Sequence, residues 1–253
     1  MPNIKNYYDL VSFSKKIIKL AAKDNLELRI FGSVGVSILC NPSNNVLEWK
    51  DLSIRDIDFI AKIEQIEDID KLLSNIKFVL METQFSTNGE HRIYIGASSN
   101  YGSDIKIDIF FGNLTFNHRI PKPYFDTNFK YTLPPTQLLL SKLSIVKIVE
   151  KDVKDIIYLL AFHKYGDDYI DEDMLKRVWC SNTKAWGLCR TCIKSIKTVK
   201  NYLNENENHY SSVKVVVEDR LEYLLNIIRH SNKSLSWKIR ACIGEKVSYY
   251  KQA

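Results

Sequence analysis

Two apolar runs in this chain carry charged residues at alternate positions, and few arrangements of a backbone can accommodate both. Residues 54–62 read Ile-Arg-Asp-Ile-Asp-Phe-Ile-Ala-Lys, and residues 104–111 read Asp-Ile-Lys-Ile-Asp-Ile-Phe-Phe. Alternation of this kind belongs to a β-strand, in which side chains at i and i+2 share a face. Asp56 and Asp58 then project together while Ile57, Phe59 and Ala61 face a core. In the second run Ile105, Ile107 and Ile109 take the core face, leaving Lys106 and Asp108 on the other. Carboxylates crowded on one face repel each other unless positive charge lies between them. If the two strands are neighbours, Asp56, Asp58 and Asp108 converge into a site for one or two Mg²⁺ (or Mn²⁺) ions, hard cations that prefer oxygen ligands. Taken alone, the Asp-Ile-Asp segment also reads as a pair of exposed acids on an edge strand.

A second feature stands upstream. Residues 26–31 form an apolar strand pattern stopped by Gly32, and 34–40 follow as a short helix. A glycine at such a junction lets a phosphate approach the backbone closely. The helix start just beyond it offers free N–H groups and the positive end of the helix dipole. Ser33 adds a hydroxyl donor for a β- or γ-phosphate. Gly-Ser by itself is equally the mark of a plain tight turn.

The remaining pattern sets the fold class. Residues 7–23 carry apolar side chains at helical spacing, as do 64–76. Residues 91–97 and 104–111 flank a polar loop and read as a hairpin, with 114–120 as a further strand. After Pro135 only helices are expected, at 136–148, 151–164, 171–179, 183–204, 211–230 and 235–248. The expectation is an α+β protein: a mixed sheet with flanking helices in a catalytic domain over 1–130, then an all-helical domain over 131–253.

The combination of a hydrophobic strand ending in Gly32-Ser33, then Asp56-Ile-Asp58, then Asp108 resembles the DNA polymerase β-type nucleotidyltransferase superfamily. That resemblance spans about residues 26–111 and implies a nucleotidyltransferase-type sheet. It also implies metal-dependent transfer of a nucleoside monophosphate from an NTP, with Asp56, Asp58 and Asp108 as metal ligands. Two subgroups are closest. Gly32, Gly35 and Arg55 with its two acids resemble the aminoglycoside and lincosamide nucleotidyltransferases. Residues 138–143 and 151–156 resemble the nucleotidyltransferase toxins of abortive-infection systems, which implies that Lys142, Asp152 and Asp155 add to the nucleotide site. The 22 residues between Ser33 and Asp56 exceed the spacing in the minimal members, which makes 41–54 an insertion.

The same residues also have plainer readings. Lys142 among leucines is a snorkelling lysine, and Lys151 with Asp155 is an i,i+4 surface pair. Cys189 and Cys192 read as core packing, since neither a second Cys pair nor a His pair accompanies them. Tyr249 and Tyr250 read as helix packing. His91 and His118 flank the acid-bearing strands, within reach of a substrate.

Charge narrows the partners. The chain carries +6 overall, but residues 183–253 hold 13 Lys and Arg against 6 Asp and Glu, a net +7, while 1–182 sum to −1. Such a basic helical surface suits either solvent or a polyanion such as RNA or tRNA. The alternatives are a small hydroxylated acceptor of the antibiotic type, a protein side chain, or a non-catalytic nucleotide- or RNA-binding member of the fold. An antitoxin-like protein partner goes with the toxin resemblance. Residues 1–20 lack the uninterrupted apolar stretch of a signal peptide, no run approaches a membrane span, and five cysteines suggest no disulfide framework. A cytoplasmic setting without membrane contact is expected.

Overall fold

The computed structural model describes residues 4, 6–40, 56–81, 90–102, 104–114, 116–120, 125, 128–163 and 170–250. They fold as the sequence leads one to expect, into a five-stranded mixed sheet with flanking helices and a helical remainder. The chain divides into two compact units, residues 1–114 with 122–133, and residues 115–121 with 134–253. Among the described residues no helix is long and apolar enough to cross a membrane.

In the first unit α1 (Tyr7–Lys23) begins at a reciprocal cap. The Asn6 side chain accepts from the Asp9 backbone at 3.0 Å, and the Asp9 carboxylate accepts from the Asn6 backbone at 3.3 Å. The chain continues through β1 (Leu28–Phe31), α2 (Gly32–Cys40), β2 (Asp56–Ala61), α3 (Ile66–Asn75), β3 (Phe78–Met81), β4 (His91–Gly96), the single turn α4 (Ser98–Tyr101) and β5 (Ile105–Phe111). Strand order across the sheet is β1-β2-β5-β4-β3. The central β2–β5 pair is parallel and the others are antiparallel.

Alternation fixes the register. Leu28, Ile30, Ile57, Phe59, Ile105, Ile107 and Ile109 are all buried on one face, in a core shared with Leu10, Phe13 and Ile17 of α1 and with Ile69 and Leu73 of α3. Sliding β2 by one residue would expose Ile57 and Phe59 and bury Asp56 and Asp58. Each apolar side chain so exposed forfeits about 1.5–3 kcal/mol, and each acid buried without a partner costs several more. One register is therefore strongly preferred.

Two strand assignments depart from the sequence expectation, and the helices expected over 136–148 and 235–248 end earlier, at Leu143 and Ile243. β3 is an unanticipated edge strand; Val79 is 70% exposed, so its residues show no clean burial alternation. The strand expected over 114–120 is absent among the described residues there. Gly112 turns the chain with φ of +78°, and Phe116 N donates to His118 O at 3.1 Å in a tight turn.

The second unit is helical: α5 (Pro135–Leu143), α6 (Glu150–Phe162), α7 (Glu172–Cys180), α8 (Thr183–Glu205), α9 (Glu207–Tyr210), α10 (Lys214–His230) and α11 (Leu235–Ile243). Side chains of Asp171, Asn182 and Ser234 cap α7, α8 and α11 by accepting from first-turn backbone N–H groups. α8 runs through the middle of this core, with Leu188, Cys189, Cys192, Ile196 and Val199 buried. Burial pushes the Cys189 thiol up to about 12, as befits a small core residue rather than a ligand.

Candidate active site

The parallel pairing of β2 with β5 sets Asp58 directly opposite Asp108 and Asp56 opposite Lys106. Partners on adjacent strands lie about 5 Å apart, so three acids and one lysine share a small patch of the face turned away from the α1–α3 core. Asp56 is exposed, Asp58 half-buried and Asp108 only 7% exposed. Phe31 and Phe110 meet edge to face at 5.5 Å on this same side and continue it as apolar surface.

Gly32 explains how Asp58 is held. Its φ of +63° turns β1 into α2, a conformation that costs other residues strain. A Cβ at this position would overlap the Asp58 carboxylate, with Cγ at 2.9 Å. The acid thus lies against the bare backbone at the start of α2, where the helix dipole favours negative charge. Ser33 is 4% exposed, and its carbonyl accepts from the Ser37 hydroxyl at 3.0 Å and from the Tyr7 hydroxyl at 3.4 Å. α1 and α2 together fix the Gly-Ser backbone.

Both oxygens of Asp108 are engaged. His91 Nε2 stands 3.0 Å from Oδ1, and Lys106 Nζ stands 2.7 Å from Oδ2. The His91 ring stacks on Phe110 at 4.2 Å, which locks its orientation. Burial works to raise the Asp108 pKa, but His91 and Lys106 outweigh it and hold the acid below the usual carboxylate range. Sequence reasoning placed His91 near the site without finding this bond. The signal was the hairpin register, which puts His91 opposite Phe110, two residues along the strand from Asp108.

No family model matches the chain, and no curated protein matches it. Solved structures do. The chain is similar to the antibiotic-resistance factor ANT(2'')-Ia, with 10% identity, 59% of this chain and 81% of that one covered, and a TM-score of 0.40. It is also similar to an antigenic nucleotidyltransferase-like protein from Paracoccidioides brasiliensis, with 11% identity, 92% and 97% covered, and a TM-score of 0.46.

The other expected residues belong to the second unit or fall outside the described residues. Lys142 on α5 is 7% exposed, with Nζ 2.8 Å from Asp152 and 2.7 Å from Asp155, both on α6. Burial alone would favour a neutral amine, yet Asp155 and Asp152 raise its pKa above the ordinary lysine value. The structure thus gathers these three in the second unit. The simple surface reading of Asp155 with Lys151 is corrected: Asp155 is fully buried on the side of α6 that meets Lys142. Arg55 and the 41–54 insertion lie outside the described residues. His118 belongs to the second unit, bonded to Thr191 at 2.8 Å, and burial lowers its pKa to about 4.

The acid face has the donor chemistry of a Mg²⁺ or Mn²⁺ site: hard carboxylate oxygens from adjacent strands, beside a backbone with no Cβ. As the side chains stand, no three His, Cys, Asp or Glu among the described residues are gathered as a ready-made metal cage. Lys106 and His91 occupy the Asp108 oxygens instead.

Proposed function

We propose that this protein is a nucleotidyltransferase that moves a nucleoside monophosphate from an NTP to a hydroxyl group, with Asp56, Asp58 and Asp108 holding the divalent cation. One observation carries this reading: Asp58, set against Gly32 at the start of α2, is the register partner of Asp108 on the neighbouring parallel strand. The chemistry supplied by a bound Mg²⁺ or Mn²⁺ is neutralisation of phosphate charge and activation of the attacking hydroxyl. The Gly32-Ser33 backbone and hydroxyl orient the triphosphate at the helix start. The acceptor oxygen bonds to the α-phosphorus as the α–β phosphate bond breaks, pyrophosphate leaves with the electron pair, and Asp108 takes the hydroxyl proton.

RNA or tRNA is the acceptor we favour, in a toxin-like role that an antitoxin-like partner would restrain. Two features support it. Residues 183–253 carry the +7 excess, and a cavity of about 760 Å³ in the second unit is lined by Arg177, Asn226 and His230, with Lys176 and Tyr223 held there by Glu172. A backbone-tracking polyanion uses such side chains, with stacking on exposed aromatics. The test is incubation with α-labelled ATP, CTP, GTP and UTP, Mg²⁺ and total cell RNA. The expected result is label in RNA, falling steeply between low and moderate salt. Label in protein or in a small molecule would move the acceptor, and label in no fraction would contradict the reading.

A further inference from the structure

The chemistry proposed above gives Lys106 no part, yet it is a lysine set among all three acids of the face. On β5 it stands two residues before Asp108 and opposite Asp56 on β2, so all three acids share its side of the sheet. Its ammonium is 2.7 Å from Asp108 Oδ2. The other oxygen faces His91 Nε2 at 3.0 Å. A divalent cation needs at least one of these oxygens, and two positive charges cannot share it closely. A cation approaches Asp108 most easily where one of the two nitrogen groups moves aside, and the Lys106 ammonium is the one that carries a fixed positive charge.

Packing decides which. The His91 ring is stacked on Phe110 with 16° between the planes and cannot withdraw without losing that contact. Lys106 carries its charge on a flexible four-carbon stem and is 39% exposed, so it can swing into solvent without disturbing the core. The attraction that holds it is spread over Asp108, Asp56 and Asp58. These outweigh the penalty of burial and keep its pKa above the ordinary lysine value.

We infer that Lys106 is a displaceable counter-ion that competes with the divalent cation for Asp108 and thereby sets the affinity of the acid face for metal. This rests on the nucleotidyl-transfer reading, which makes the three acids the metal ligands. The consequence is a site tuned to be weak for the bare cation, with the neighbouring acids kept from mutual repulsion by a charge the chain itself provides.

Binding of Mn²⁺ alone to the full chain, followed by electron paramagnetic resonance of the free ion, separates the possibilities. Lys106→Met should tighten Mn²⁺ binding about tenfold, the scale of one strong charge interaction at this range, while Lys106→Arg should bind as the natural protein does. Asp58→Asn should weaken binding in either background. Circular dichroism confirms that each variant is folded, and Lys106→Gln replaces Lys106→Met should the latter unfold. If removing the ammonium leaves the Mn²⁺ affinity unchanged or weaker while Asp58→Asn still weakens it, the counter-ion role is wrong and the acid site stands. If Asp58→Asn binds Mn²⁺ as well as the natural chain, the acid site fails and the inference falls with it.

Discussion

A methyl group added at Gly32 meets two separate penalties. The left-handed backbone, φ +63°, costs an L-residue about 1–2 kcal/mol, and the new Cβ overlaps the Asp58 carboxylate. Gly32→Ala should therefore lower the unfolding free energy in urea by about 2 kcal/mol or more. Because part of that loss is the overlap, Asp58→Ala in the same chain should recover some of it, and the two changes should be less than additive. Strict additivity would mean that Asp58 does not lie where the geometry puts it. At this scale the sequence was informative, since Gly32, Asp56, Asp58 and Asp108 each announced themselves by breaking an apolar pattern. Lys106 shared the face of Asp108 by the same alternation and was legible as a neighbour. Its ion pair was not, because alternation gives a face but not which charges touch.

Between elements, the buried contact of α5 with α6 makes the sharpest prediction. Lys142 is enclosed with Asp152 and Asp155, and removing the ammonium strands two carboxylates in a nearly dry place. Lys142→Met should destabilise the protein by about 3–5 kcal/mol, the cost of breaking a buried ion pair from one side. Chemical denaturation measures it directly, and a loss under 1 kcal/mol would show a solvated surface pair instead. Helix positions over 136–230 were readable from apolar spacing, whereas caps such as Asn182 are seen only in the structure. The burial of Asp155 was not. It projects off the apolar stripe of its own helix, and only the partner helix, with Lys142 opposite, makes that tolerable. β3 escaped notice for a related reason. An edge strand with one side open shows no clean burial alternation, and it is placed by its antiparallel pairing with β4.

For the whole molecule, composition and motif order were enough to separate a mixed-sheet part from a helical part. They did not show that residues 115–121 belong with the helices. His118 gives the physical reason, since its bond to Thr191 and its desolvation place that segment in the second core. Nucleotidyl transfer requires the acid face to perform phosphoryl chemistry at the α-position. The most direct measurement compares α-labelled with γ-labelled NTP, using the natural chain and Asp58→Asn matched for circular dichroism and melting temperature. Label should enter acceptor from the α-position only, and Asp58→Asn should lower the rate by at least about 10²-fold, the scale of losing one metal-holding or charge-stabilising group. Equal transfer by the variant, or label arriving from the γ-position, would contradict nucleotidyl transfer at the acid face.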